Sequence, residues 1–173
     1  MKVLFIYPNL YAQIGFNYGV AFLSAVLKEA GHTTSLINVN DELGAVPGDD
    51  ELLTRINAEK PGLIGFSVVT VQYRYAVDMA KKVKRAFPHV PLIIGGIHAT
   101  MDPEGCLAEG VFDYVCVGEG EEALLELVTA LGAGGDTIGI RNIWARKGKD
   151  LHRNPVRPFT PLEKLPPKDY EVF

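Results

Sequence analysis

The chain has 173 residues and a formal net charge of -4, with 47% hydrophobic and 22% charged residues, an ordinary globular balance and length enough for one good core. The acidic balance excludes a surface built for nucleic acid, which needs a basic field, and no apolar run is long enough to span a membrane. The opening MKVLFIYPNL lacks the long apolar stretch and small-residue cleavage site of a signal peptide.

Residues 2–7, KVLFIY, form the first expected strand. A loop, PNLYAQIGFN, separates it from a helix in which Val20, Leu23, Val26, Leu27 and Ala30 recur at helical spacing until Gly31 stops it. TTSLINV (33–39), rich in β-branched residues, is the second strand, and Leu52, Leu53 and Ile56 mark a second helix closed by Pro61. GLIGFSVV (62–69) is apolar nearly throughout, which suits the centre of a parallel sheet buried on both faces. A helix over about 75–87 follows, with Ala76, Met79, Ala80, Val83 and Phe87 inward and Lys81, Lys82, Lys84 and Arg85 on the wet face. PLIIGG is the fourth strand, 103–109 a short helix, DYVCVG the fifth strand and EEALLELVTAL the next helix.

Repeated β–α units predict an α/β fold: a five-stranded, doubly wound parallel sheet of flavodoxin-like (Rossmann-like) order 2-1-3-4-5, occupying residues 1–135. Within 136–153, RNIWARKGKDLHRN reads as a hairpin appendage around a glycine-containing turn. Pro155, Pro158, Pro161, Pro166 and Pro167 then keep 154–173 extended, as a linker leading out of the domain.

Two cysteines are too few for a secreted disulfide framework and belong to no CxxC or three-cysteine cluster, so a reducing cytoplasm is expected and no Cys-rich iron–sulfur cluster fits this chain alone. Cys116 reads as core and Cys106 as part of a short helix.

Ligands of such sheets bind beyond the carboxyl ends of the strands, so the residues there are the candidates. Pro8 and Asn9 open a loop that is long for a βα turn, a shape that often builds a pocket. Ser67 and Thr70 offer hydroxyls after the third strand, either for a ligand or as helix caps. Gly95 and Gly96 let backbone approach a bulky ligand, with His98, Ala99 and Thr100 beside them. Gly118 and Gly120 flank Glu119 before a helix whose first turn holds Glu121 and Glu122, which suit its positive end. No GxxxxGK[ST] phosphate loop and no GxGxxG after the first strand is present. A phospho-receiver needs acidic residues after the first strand and an Asp after the third, where Pro8, Asn9 and Ser67 stand, and PNLYAQ lacks the Ser/Thr-rich phosphate loop of a flavin module.

Together GFSVVTVQY, GGIHATMDPE and DYVCVGEGEEALLEL resemble the cobalamin-binding domain at the front of many radical S-adenosylmethionine enzymes, a group that includes the magnesium-protoporphyrin monomethyl ester oxidative cyclase and several methyltransferases. The ending PFTPLEKLPPKDYEVF resembles the link that precedes the radical domain in that group. The resemblance implies a corrin over the carboxyl edge of the sheet and a nucleotide tail passing between strands. Ser67, Val68 and Thr70 would contact the tail, Gly95 and Gly96 allow its passage, and His98, Ala99 and Thr100 line the pocket beside it. Gly118, Glu119 and Gly120 would form the opposite wall, and the loop from Pro8 to Tyr18 would lie under the corrin.

Other cobalamin domains carry Asp-x-His-x-x-Gly in the first βα loop, whose His ligates cobalt. PNLYAQIGFNYG has neither Asp nor His, so lower ligation from that loop is impossible here, as is common in the radical group. For His98 a pocket-lining or hydrogen-bonding role fits better than axial ligation. The resemblance further implies a module that orients cobalamin without catalysing alone, with S-adenosylmethionine, a [4Fe-4S] cluster and a small-molecule substrate handled by a radical domain beyond Phe173, and no nucleic-acid or membrane partner. The reading of a different class is a flavodoxin-like binding or docking module with no corrin.

Overall fold

The structure is a computed structural model that describes every residue except Gln13, Ala45 and Lys149. The apolar run after Met1 becomes β1 (Lys2–Pro8), in which Val3, Leu4, Phe5 and Ile6 are all buried, as a central parallel strand requires. β1 pairs in parallel with β2 (Thr33–Val39) on one side and β3 (Leu63–Ser67) on the other, and β4 (Leu92–Gly95) and β5 (Tyr114–Cys116) continue the parallel ladder. The order β2-β1-β3-β4-β5 is the flavodoxin-like one.

The described residues form seven strands in one sheet, not five, because the hairpin joins it: β6 (Ile143–Lys147) pairs antiparallel with β5, and β7 (Asp150–His152) with β6. Ile143 and Ala145 alternate inward and are buried, so the hairpin both covers the open edge of β5 and extends the core. Lys149, in the turn between them, lies outside the described residues.

Strand residues alternate between two apolar layers. Val3, Phe5, Leu63, Ile93, Tyr114 and Cys116 pack against α1 (Tyr18–Glu29) and α6 (Glu121–Ala133). Leu4, Ile6, Ile64, Phe66, Leu92, Ile94 and Val115 face the opposite way, toward α2 (Asp49–Glu59), α3 (Tyr73–Ala86) and the short α5 (Pro103–Ala108). Phe66 and Phe112 meet edge to face there at 5.8 Å. Local chemistry fixes the helix ends: the Asn17 side chain accepts from Val20 N–H, Asp102 accepts from Gly105 N–H with Pro103 at the first helical position, and Gly134 closes α6 in the left-handed region.

Two boundaries differ from expectation. β3 stops at Ser67, because Val68 turns inward: its N–H donates to Gly95 and its carbonyl accepts from His98. Directly after β4 lies α4 (Ile97–Met101), five residues long and too short to show a helical period.

Residues 154–173 are extended apart from two single 3₁₀ turns, and they return across the α1–α6 layer. Arg157 reaches Glu122 and Glu126 of α6, and the Asp169 N–H donates to Ala21 of α1. Among the described residues no helix is long and apolar enough to cross a membrane.

Candidate functional site

β1, β3, β4 and β5 present Phe5, Gly65, Ser67, Ile93, Gly95 and Cys116 to the α1–α6 face, in the register Gly65↔Ile93 and Ser67↔Gly95. Two of these six are glycines, so the floor is low where neighbouring strands carry side chains. A Cβ on Gly65 would stand 3.4 Å from Phe5, and one on Gly95 3.5 Å from Cys116, so either position has ordinary room for a side chain that the sequence does not place there. The result is a groove of about 170 Å³ between α1 and α6, walled by Leu23 and Leu124 and reaching the carboxyl ends of β3, β4 and β5.

Of the residues singled out in the sequence, Ser67, Gly95, Gly96, Gly118, Glu119 and Gly120 line this groove. Ser67 is no helix cap: its Oγ accepts from the Asn17 Nδ2–H at 3.0 Å, which ties β3 to the start of α1. Gly96, at φ +97°, is required by the backbone, since a Cβ there would meet the Val68 carbonyl oxygen at 2.7 Å. The Glu119 carboxylate accepts from the Thr160 N–H at 2.7 Å, so the returning tail fixes the groove's lip.

The others stand elsewhere. Val68 and Ala99 are buried in the layer on the far side of the sheet. His98 packs there too, its ring 3.8 Å from that of Tyr73 and its Nδ1 in a 3.2 Å hydrogen bond with Thr70 Oγ1, while its buried Nε2 has no hydrogen-bond partner among the described residues. Thr70 likewise caps no helix. Thr100 staples two strand ends, its Oγ1 accepting from the Gly118 N–H and donating to the Gly96 carbonyl. Pro8 and Asn9 are buried at the end of β1, with Asn9 N–H donating to Val39 and its Oδ1 accepting from Tyr7. Tyr18 is exposed at the start of α1, near Lys168 and Tyr170. Gln13 of the same loop lies outside the described residues.

Sequence reasoning missed Gly65, Asn17, Leu23, Glu121 and Leu124. A glycine inside an otherwise apolar strand was a legible sign of close approach at Gly65. Glu121 was masked by its position, since a first-turn glutamate reads as a complement to the helix dipole. It instead turns into the groove wall, with Oε2 buried and without a hydrogen-bond partner among the described residues. Burial raises its pKa, backbone N–H groups of Glu121 and Gly120 offset part of the rise, and the charges of Glu119 and Glu122 add to it.

Burial disfavours the thiolate form of both cysteines. Burial pushes Cys116, in the groove floor, up to about 12 and Cys106 up to about 11. Among the described residues no group of three or more His, Cys, Asp or Glu is placed to hold a metal ion. Beyond the carboxyl ends of β3 and β4, Val69, Val71, Ile97 and Met101 are exposed, with Val71 at 86% and Met101 at 76%.

Residues 9–128 match the family described as the B12 binding domain. The chain is 32% identical over 141 residues to the anaerobic magnesium-protoporphyrin IX monomethyl ester cyclase of Rubrivivax gelatinosus, covering 78% of this chain and 25% of that protein. An uncharacterized methyltransferase of Pyrococcus horikoshii is 27% identical over 182 residues, covering 100% of this chain and 39% of that protein. The chain thus spans between 25% and 39% of these curated relatives. Among solved structures, the radical S-adenosylmethionine methyltransferase TsrM of Kitasatospora setae superposes with a TM-score of 0.78 at 22% identity, over 89% of this chain and 30% of that one. The cobalamin-dependent S-adenosylmethionine radical enzyme OxsB, with aqua-cobalamin and S-adenosylmethionine bound, superposes with a TM-score of 0.79 at 17% identity, over 99% of this chain and 24% of that one. At these identities the structural likeness establishes the fold.

Proposed function

Since the chain belongs to the B12-binding domain family, we propose that it is the cobalamin-holding module of a cobalamin-dependent radical S-adenosylmethionine enzyme. One observation carries this reading: a groove with a glycine floor opens at the carboxyl edge of the sheet, and all of its lining residues except Phe5 fall in the span that matches the family. Its residues fit the group. The low floor at Gly65 and Gly95 leaves room for a nucleotide tail, apolar walls suit a flat aromatic ring, and the buried Glu121 Oε2, without a hydrogen-bond partner among the described residues, can gain one from a ligand. The exposed Val69, Val71, Ile97 and Met101 suit the apolar face of a corrin.

In this reading Ser67, Gly95, Gly96, Gly118, Glu119 and Gly120 hold the tail directly. Val68, Thr70, His98, Ala99 and Thr100 act from behind, by fixing the turns after β3 and β4. Pro8, Asn9 and Tyr18 frame the loop beneath the corrin. When bound, cobalamin supplies a cobalt centre for methyl-transfer or redox chemistry, and the chain's part is to bind, orient and exclude water. No histidine in the loop of residues 8–18 is available to the lower face of that metal.

The parent protein's reaction is methyl transfer or oxidative cyclisation of a small molecule in the cytoplasm. Its [4Fe-4S] cluster and S-adenosylmethionine belong to a radical domain of the same protein, reached from the α/β domain (1–135) past the hairpin (136–153) and the proline-rich segment (154–173). No observation favours the corrin-free docking module. The test is to mix the chain with hydroxocobalamin, remove free ligand by gel filtration and read corrin absorbance on the protein. We expect near-stoichiometric retention by wild type and loss in Gly95→Val. If no corrin stays with either the chain or the full-length protein, the reading is overturned.

A further inference from the structure

Resting on the reading that the groove takes a cobalamin tail, we propose that Asn17 is a positioning residue: it holds the Ser67 hydroxyl as a hydrogen-bond donor toward the groove, so that the tail is bound there through an uncharged acceptor atom. Asn17 ends the loop after β1 and caps α1, and its carboxamide joins α1 to β3. Oδ1 accepts from the Val20 N–H at 3.0 Å, and Nδ2 donates to Ser67 Oγ at 3.0 Å.

The direction of the second bond follows from the first. A backbone N–H can only donate, so the amide oxygen faces Val20 and the amide nitrogen faces Ser67. That NH2 group can only donate as well, so Ser67 Oγ accepts from it and cannot turn its own hydrogen toward Asn17. Among the described residues Ser67 Oγ has no second hydrogen-bond partner. Its hydrogen is left for what enters the groove that Ser67 lines.

The groove selects an acceptor without charge. Among the described residues its lining holds no Lys, Arg or His, while Glu119 and Glu121 both stand in it, so an anionic group such as phosphate meets no counter-charge. Phe5, Leu23, Ile93 and Leu124 make the floor and walls apolar, and the volume of about 170 Å³ is on the scale of a cavity that takes one aromatic ring, about 150 Å³ for benzene. A ring nitrogen of the tail base or an oxygen of its ribose meets these terms. Asn17 touches neither and acts through Ser67.

Asn17→Asp reverses the hydroxyl and keeps the cap. Aspartate is as good an N-cap as asparagine, and one carboxylate oxygen still accepts from Val20. The other oxygen takes the Ser67 hydrogen, which leaves only lone pairs toward the groove. Three corrinoids are compared on the purified chain by equilibrium dialysis with corrin absorbance: hydroxocobalamin, a cobamide with a phenolic tail that lacks the ring nitrogen, and cobinamide, which lacks the nucleotide. Each variant is read as a ratio to wild type, in which the cost of detaching the base from cobalt cancels. Asn17→Asp is expected to bind hydroxocobalamin about tenfold more weakly, as the loss of one hydrogen bond implies, and cobinamide as wild type does. Either outcome for the phenolic cobamide supports the role of Asn17: equal weakening assigns the acceptor to the ribose, and no weakening assigns it to the ring nitrogen. Ser67→Ala loses the same affinity, and adding Asn17→Asp to it has no further effect, because the hydroxyl through which Asn17 acts is gone. Asn17→Ser caps with a shorter side chain and frees the Ser67 hydroxyl to rotate, so its loss is expected to be smaller than that of Asn17→Asp. The assignment is overturned if Asn17→Asp holds hydroxocobalamin as wild type does, if it weakens cobinamide as much, if its cost persists in the Ser67→Ala background, or if Asn17→Ser loses more. Failure of wild type to bind any of the three corrinoids overturns the cobalamin reading itself, and is a distinct result.

Discussion

Gly95 and Gly96 are adjacent and both are glycine, for opposite reasons. A Cβ on Gly95 meets Cys116 at an ordinary 3.5 Å, whereas one on Gly96 meets the Val68 carbonyl at 2.7 Å with φ at +97°. Gly95→Val is therefore expected to melt like wild type yet weaken cobalamin retention by about tenfold or more, since about 1.4 kcal/mol of lost contact has that effect. Gly96→Ala is expected to cost about 2 kcal/mol in urea unfolding, through backbone displacement. Equal stability losses for the two variants would remove the distinction. Glu121 gives a pH prediction with a definite sign. Because burial raises its pKa in the fold, its stability contribution is fully present below the ordinary glutamate pKa and lost as pH rises through the raised value. Glu121→Gln has no charge to gain, so its melting temperature should climb relative to wild type from pH 4 to pH 8, and a gap that shrinks over that range would contradict the burial of this carboxyl. Glycines after strands were legible in the sequence because each follows an apolar run that must end at the ligand edge. Glu121 was not, since three glutamates within four residues look alike until packing turns one of them inward.

At the scale of elements, periodicity carried the five parallel strands and their helices. Strand runs such as VLFI and LIGF are apolar on both faces, and the helices between them leave little choice of order. The hairpin was legible as a hairpin, but its docking edge was not, because β5–β6 pairing is a non-local match of Cys116 to Ile143 and Tyr114 to Ala145. What pins that edge is Asn142, fully buried at φ +70°. Its Nδ2–H donates to the Val117 carbonyl at 2.8 Å and its Oδ1 accepts from the Arg157 N–H at 3.0 Å, so one side chain joins the end of β5, the start of β6 and the tail. Asn142→Ala is expected to lose about 2–3 kcal/mol, from two broken buried hydrogen bonds and a left-handed backbone that alanine resists. Asn142→Gly loses the same bonds without that strain, and should be about 1 kcal/mol more stable than Asn142→Ala in chemical denaturation. The reverse order would show that the backbone at this position is not held left-handed.

On the scale of the whole molecule, the proline-rich segment ties together the two helices that wall the groove. Its early part is held to α6: the Arg157 guanidinium lies 3.2 Å from both Glu122 and Glu126, and the Thr160 N–H donates to Glu119. Its last part is held to α1: Asp169 pairs with Lys28 at 2.6 Å and accepts from Ser24, whose oxygen in turn receives the Thr34 hydroxyl, while Phe16 meets Tyr170 and Phe173 edge to face at 5.0 and 5.3 Å. Proline spacing predicts the extended backbone but not this return, which depends on where Ser24, Lys28 and Phe16 come to lie. Burial alone would raise the Asp169 pKa, but hydrogen bonds from Lys28 and Ser24 outweigh it and the net shift is downward. Its stabilisation is thus present above the ordinary aspartate pKa and lost as pH falls through the lowered value. Asp169→Asn should lower the melting temperature at pH 7 by about 2–4 °C, the shift for about 1 kcal/mol in a domain of this size, and the deficit should vanish at low pH once wild type is protonated too. A deficit that persisted unchanged to pH 2 would mean that Asp169 acts by shape and not by charge. Because the same contacts fix the α1 wall, the variant should also release bound corrin faster at pH 7 while Phe16→Ala, which cuts the neighbouring aromatic contacts, does so at every pH. Corrin release that is unchanged in both variants would show that the groove holds its width without the tail.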